Sequence, residues 1–174
     1  YVMKRAAKKL LVLALLVGTM VCLGACGKKD EVKDDLCTYI NDMTEAQKLQ
    51  QEAINTYNSY VDDPELDSQE LLTALKDTII PEYSQYLDAI NAVSPATEDV
   101  TNVKLKCIEG ANKQYAALTK VKEAIEACDS EMLTEADGLI QESVQLFQDY
   151  ETQLNTLAEE HEVTLINGTG SSTA

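Results

Sequence analysis

The spacing of apolar residues constrains this chain more than any single motif. Through Val32, Leu36, Ile40, Met43, Ala46, Ala53, Tyr57 and Val61 they return every three or four positions, the repeat of one face of an α-helix. Between Gly27 and Asn167 only two glycines, Gly110 and Gly138, and three prolines, Pro64, Pro81 and Pro95, interrupt the pattern. The stripe predicts a first helix over 31–61, ended by Asp62-Asp63-Pro64 because proline disfavours helix in the residue before it.

A second stripe, Leu71, Leu72, Leu75, Ile79, Tyr83, Tyr86, Leu87, Ile90 and Val93, predicts a helix over 67–93 capped by Asp67 or Ser68. Pro81 lacks an amide donor and crowds the preceding turn, so a kink near Ile79 or a restart at Pro81 is expected. Ser94-Pro95 reads as an N-cap followed by a first-turn proline, opening a third helix along Val100, Val103, Cys107, Ala111, Leu118, Val121, Ile125 and Cys128. Beyond Asp129-Ser130, the residues Leu133, Ala136, Ile140, Val144, Phe147, Leu154 and Leu157 mark a fourth helix to about 162.

No segment shows the period of two that a strand needs, and the connections are short. The predicted fold is all-α, an antiparallel up-down four-helix bundle of long helices over 31–163. A coiled-coil hairpin that dimerises uses the same stripes, which leaves monomer or dimer open. Residues 164–174 hold Asn167-Gly168-Thr169-Gly170-Ser171-Ser172 and read as a flexible tail.

Ahead of the first stripe, Lys4, Arg5, Lys8 and Lys9 precede a small and apolar run over 10–25. That run is shorter than the roughly 18–20 residues a membrane span needs, and the layout is that of a cleaved signal peptide over 1–25. Its end, Leu23-Gly24-Ala25-Cys26, resembles the lipobox of bacterial lipoproteins. The resemblance implies that Cys26 receives a diacylglyceryl group, that 26–30 form a tether, and that the protein sits on the outer face of the cytoplasmic membrane. Two acyl chains hold a protein stably where one binds marginally. The run 83–95, an aliphatic helix ending at Ser94-Pro95, together with the Ala- and Leu-rich helices after it, is also similar to extracytoplasmic helical lipoproteins of Gram-positive bacteria. Ala96 stands where many of those carry a second proline, and no histidine precedes His161. That class implies a location and a fold, with no common activity or site.

Charge and composition exclude several functions. Fourteen Lys and Arg face thirty Asp and Glu, a net charge of −16, and four of the bases belong to the leader. Nucleic acid is excluded as a partner on that balance. Arg5 is the sole arginine, His161 the sole histidine, and tryptophan is absent, which removes arginine clamps, His-rich metal sites and most Ser/His or Cys/His catalysis. Beyond Cys22 and Cys26 the cysteines are Cys37, Cys107 and Cys128, an odd number at wide spacing. They read as buried free thiols, with one disulfide plus one free thiol as the alternative.

The acids Asp62, Asp63, Glu65, Asp67 and Glu70 could gather Ca²⁺ ligands, but they lack the central glycine and terminal glutamate of an EF-hand loop. A solvated, helix-capping junction is the simpler reading, so no metal or cofactor is expected. His161, at a helix end among Glu159, Glu160 and Glu162, reads as a partner of the helix dipole.

Seven tyrosines follow the leader against one phenylalanine, Phe147. Counting helical rises places Tyr39, Tyr83, Tyr86 and Tyr150 in one layer of the bundle. Such a layer can line a groove for a ligand, although boundary rings with hydroxyls in water are the plainer expectation. The sequence therefore points to a non-catalytic binding or scaffolding module acting on an envelope protein or peptide. The alternatives are a small-ligand or peptide carrier with a tyrosine-lined groove, and a carboxylate-based hydrolase, for which no carboxyl stands out within an apolar stretch.

Overall fold

The computed structural model describes residues 20–23, 29–63 and 65–167. The leader over 1–19, the segment 24–28 with Cys26, Pro64 and the tail over 168–174 lie outside the described residues. In chain order the elements are β1 (Met20–Leu23), α1 (Glu31–Val61), α2 (Ser68–Ala74), a π-helical turn (Leu75–Ile79), α3 (Ile80–Ala92), α4 (Glu98–Ala127), α5 (Ser130–Glu160) and β2 (Thr164–Asn167). Among the described residues no helix is long and apolar enough to cross a membrane.

Aspartates open most of the helices. The side chain of Asp30 accepts from the amides of Val32 and Lys33, Asp67 accepts from Gln69, and Asp129 accepts from Glu131. Each satisfies amides that the first turn leaves without partners. The third stripe departs from expectation. Its helix starts at Glu98 with Thr97 as N-cap, and Ser94-Pro95 lies in the connection. No side chain caps its first turn; instead Asp35 of α1 holds the residues just ahead of it, taking the amides of Ala96 at 2.9 Å and Thr97 at 2.8 Å, and the Thr97 hydroxyl at 2.6 Å.

At the other ends, Cys128 and Glu162 adopt left-handed backbone at φ 53° and 52°. There Asp129 N–H reaches the Ala124 carbonyl and Cys128 N–H the Ile125 carbonyl, while Val163 and Glu162 do the same to Ala158 and Glu159. Glycine more often fills such positions.

Pro81 neither breaks the second helix nor leaves it regular. The turn Leu75–Ile79 widens to π-helix, and the Ile80 amide bonds back to the Leu75 carbonyl. Pro81 then sits in the first turn of α3, where its missing donor is harmless.

Pair contacts fix how the helices run. Along α4 and α5, Lys113 pairs with Glu142 and Lys120 with Glu135, and Asp149 adds to the attraction felt by Lys106. Numbers rise on one helix as they fall on the other, in steps of seven. Asp30 meets His161 and Tyr39 meets Tyr150 on α1 and α5, whereas α1 and α4 run in the same sense through Asp35 to Thr97 and Gln50 to Gln114.

A close approach is made at Gly110, where an added Cβ would lie 3.1 Å from the buried Phe147 ring. The Ser143 hydroxyl donates to the Gly110 carbonyl at 2.9 Å beside it. Two strands add to the helices: β2 pairs antiparallel with β1, Met20 opposite Asn167. Thr164–Asn167, read from sequence as the start of the tail, is thus part of a ladder.

The two helical glycines are expected to respond with opposite signs. A methyl added at Gly138 would meet nothing within 4 Å, so Gly138→Ala should stabilise by about 0.5–1 kcal/mol from helix propensity. Gly110→Ala gains the same propensity but drives a methyl into Phe147, and a net loss of about 1 kcal/mol or more is expected in urea unfolding.

Candidate functional site

The four tyrosines come together, but not at a surface. Tyr39, Tyr83, Tyr86 and Tyr150 are at most 2% exposed, so they are neither hydrated boundary residues nor walls of an open groove. They pack into the core with Leu36, Met43, Ile79, Ile90, Phe147 and Leu154. The rings of Tyr83 and Tyr86 meet edge to face with centroids 5.2 Å apart, the favourable aromatic geometry.

Their hydroxyls are absorbed inside the protein. Gln114 Oε1 accepts from Tyr83 at 2.6 Å and from Gln50 Nε2 at 3.0 Å. Gln50 and Gln114 are themselves buried. The Tyr86 hydroxyl shares a bond of 3.7 Å with the Cys107 thiol, and the hydroxyls of Tyr39 and Tyr150 lie 3.4 Å apart. Burial pushes the phenols of Tyr39, Tyr83, Tyr86 and Tyr150 well above their ordinary range, and it pushes the Cys107 thiol up to about 11. Such groups stay protonated and have little nucleophilic character. Tyr57 is buried too, with no partner for its hydroxyl among the described residues.

The cysteines depart from a uniform set of buried thiols. Cys107 is free and buried and Cys128 is free and exposed, while Cys37 is disulfide-bonded, so neither three buried free thiols nor a pair among these three is found. His161 stands at the C-cap position of α5 through its backbone amide, and its ring bonds to Asp30 at 2.7 Å. That bond, first among the causes, lowers the Asp30 pKa. Lys33 Nζ donates to the Glu162 carbonyl beside it, so the start of α1 is clasped to the end of α5.

Within the acidic junction, Asp63 accepts from the Glu65 amide and Asp67 caps α2. Among the described residues no group of three His, Cys, Asp or Glu is placed to hold a metal ion. Glu151, on the partly buried side of α5, has a pKa raised by burial.

The surface carries a shallow groove of about 820 Å³ between the C-terminal part of α1 and α2 with its π-turn. Thr56, Tyr60, Glu70, Thr73, Asp77 and Thr78 line it, and none of the four layered tyrosines does. Spacing alone could not reveal it, because Tyr60 is separated from Asp77 by a junction and a widened turn.

Residues 7–164 match the family model of the EMYY-motif containing lipoproteins. No curated protein and no solved structure matches the chain. The tetrapeptide Glu-Met-Tyr-Tyr does not itself occur in this sequence.

Two outcomes follow from the buried polar groups. Tyr57→Phe removes a hydroxyl that has no partner among the described residues, so it should stabilise by up to about 1 kcal/mol, whereas Tyr83→Phe strips a donor from Gln114 and should cost about 1 kcal/mol. Equal effects in thermal unfolding would contradict the difference between the two sites.

Asp35 gives the pH dependence. Burial alone would raise its pKa, but the amides of Ala96 and Thr97 and the Thr97 hydroxyl outweigh that and hold it below the usual value. A lowered carboxyl adds stability above its unfolded pKa of about 3.9 and loses it as pH falls through the lower folded value. Asp35→Ala should therefore cost about 1–2 kcal/mol at neutral pH. The gap from the parent chain should close below about pH 4.

Proposed function

Because the chain belongs to the EMYY-motif containing lipoprotein family, we propose that it is anchored through a diacylglyceryl group on Cys26, on the outer face of the cytoplasmic membrane. Its helices serve there as a non-catalytic binding or scaffolding module. The helix directions in the pair contacts support an up-down-up-down bundle; cleavage before Cys26 would remove β1, so the β1–β2 ladder belongs to the uncleaved chain.

The observation that carries the module reading is the interior. Four tyrosines that could have walled a ligand site instead complete the core, with hydroxyls bonded to Gln114, Cys107 and one another. Recognition then falls to the outer surface, and a small-ligand carrier built on that layer has no opening to use.

The tether also sets orientation. Four peptide units separate Cys26 from the Asp30 cap, a reach of about 14 Å when extended. The end holding Asp30, His161 and the Asp35 bonds therefore faces the lipid. With 31 residues at about 1.5 Å each, α1 carries its far end about 46 Å outward.

The test is fractionation of cells fed a labelled fatty acid. The natural sequence should take up label and sediment with membranes, while Cys26→Ser should lose the label and leave the membrane fraction. Retention of Cys26→Ser, together with no label on the natural sequence, would overturn the anchoring.

A further inference from the structure

We propose that, once the leader is cut away, the edge of β2 is the docking site for an extended apolar segment of a protein partner, which adds to it as an antiparallel strand. This deepens the module reading and rests on it, cleavage before Cys26 included.

In the uncleaved chain that edge is already occupied. Met20 pairs opposite Asn167, Val21 opposite Ile166, Cys22 opposite Leu165 and Leu23 opposite Thr164. β1 also lies against α1, so its place is a slot between that helix and β2. All four residues of β1 precede Cys26 and leave with the leader. The ladder has two strands, so losing one strips β2 of its backbone partners along that edge. A row of unpaired amides and carbonyls is a template for another strand.

β2 is held to the bundle by contacts that do not involve β1. The Val163 amide donates to the Ala158 carbonyl at 2.7 Å. Val163 is buried and Leu165 packs against the core, while Thr164 between them is exposed. That alternation is the period of a strand with one face on a core. Thr164-Leu165-Ile166-Asn167 also has neither a charge nor a proline, the usual means of keeping an edge from pairing. The edge left by cleavage is thus preformed and unprotected.

The first occupant shows the chemistry of the next. β1 puts an apolar residue, Met20, Val21, Cys22 or Leu23, at each of the register positions. The tether cannot take its place, because Cys26 to Lys29 must reach from the lipid to the Asp30 cap. A second copy fits poorly: its own β2 would bring Thr164 and Asn167 to the outer positions. Processing also removes four bases and none of the thirty acids, so two mature copies repel. Strand addition by a partner meets neither objection, with backbone bonds giving affinity and the apolar slot giving selectivity.

The test uses the mature lipidated chain in phosphatidylcholine vesicles. The probe is a fluorescent peptide copying 18–25 with serine in place of Cys22, followed by anisotropy against protein-free vesicles. The mature chain should bind it, and Cys26→Ser, which keeps its leader, should bind about tenfold more weakly because β1 fills the slot. Neighbouring amides of a strand point alternately toward and away from its partner. N-methylation of the peptide should therefore abolish binding at only one of the two positions matching Val21 and Cys22. A chain ending at Val163 should lose binding with its helical circular dichroism intact. Equal effects of the two methylations, or binding that survives loss of β2, would overturn the strand addition. Crosslinking of Ile166→Cys between two copies, relieved by the peptide, would overturn the partner in favour of a second copy. Mass spectrometry of the N-terminus separates the two levels: a leader still attached to the natural chain overturns the anchoring reading and this inference with it, while a cleaved chain that binds no peptide overturns this inference alone.

Discussion

One acceptor atom, Gln114 Oε1, receives both the Tyr83 hydroxyl and the Gln50 amide, and so ties α1, α3 and α4 at a single level of the core. Apolar stripes alone allow helices to slide by a turn at modest cost, since one leucine replaces another. A buried amide does not allow it, because a slip leaves polar atoms without partners at about 1–3 kcal/mol each. One turn before Gln114 on α4, Gly110 receives the Phe147 ring of α5. α5 is therefore fixed close to the same level.

The remaining polar contacts reinforce the two ends of this arrangement differently. At one end, Asp35 of α1 accepts from Ala96 and Thr97 just ahead of α4, and Asp30 with Lys33 clasps the end of α5. Lys104 adds bonds to the carbonyls of Asn91 and Val93, closing the end of α3. At the far end the junctions are capped locally by Asp67 and Asp129, and the surface between α1 and α2 stays concave and acidic.

The helices were legible because burial repeats at helical spacing: the stripe from Val32 to Val61 coincides with Glu31–Val61. The fate of the tyrosines was not. Whether a phenol faces water or core depends on a partner across the bundle, and Gln50 and Gln114 look like surface residues in a one-dimensional reading. Asp35 was hidden for the same reason, since its amide donors lie 61 and 62 positions away and Ser94 offered a plausible local cap. Pro81 announced a distortion without its form; the widened turn depends on how Leu75 and Ile79 must both reach the core. The groove was illegible because its walls come from two helices.

The most direct measurement of the central claim is an alkaline titration that follows phenolate absorbance and helical circular dichroism together. Tyr39, Tyr57, Tyr83, Tyr86 and Tyr150 are buried with raised pKa values, so their ionisation should appear only in the step in which helix is lost, because an unfolded phenol ionises near pH 10 and the folded one does not. Five of the seven tyrosines after the leader ionising smoothly while the helix signal stays intact would show that the layer is open to solvent, and would contradict a core held together by it.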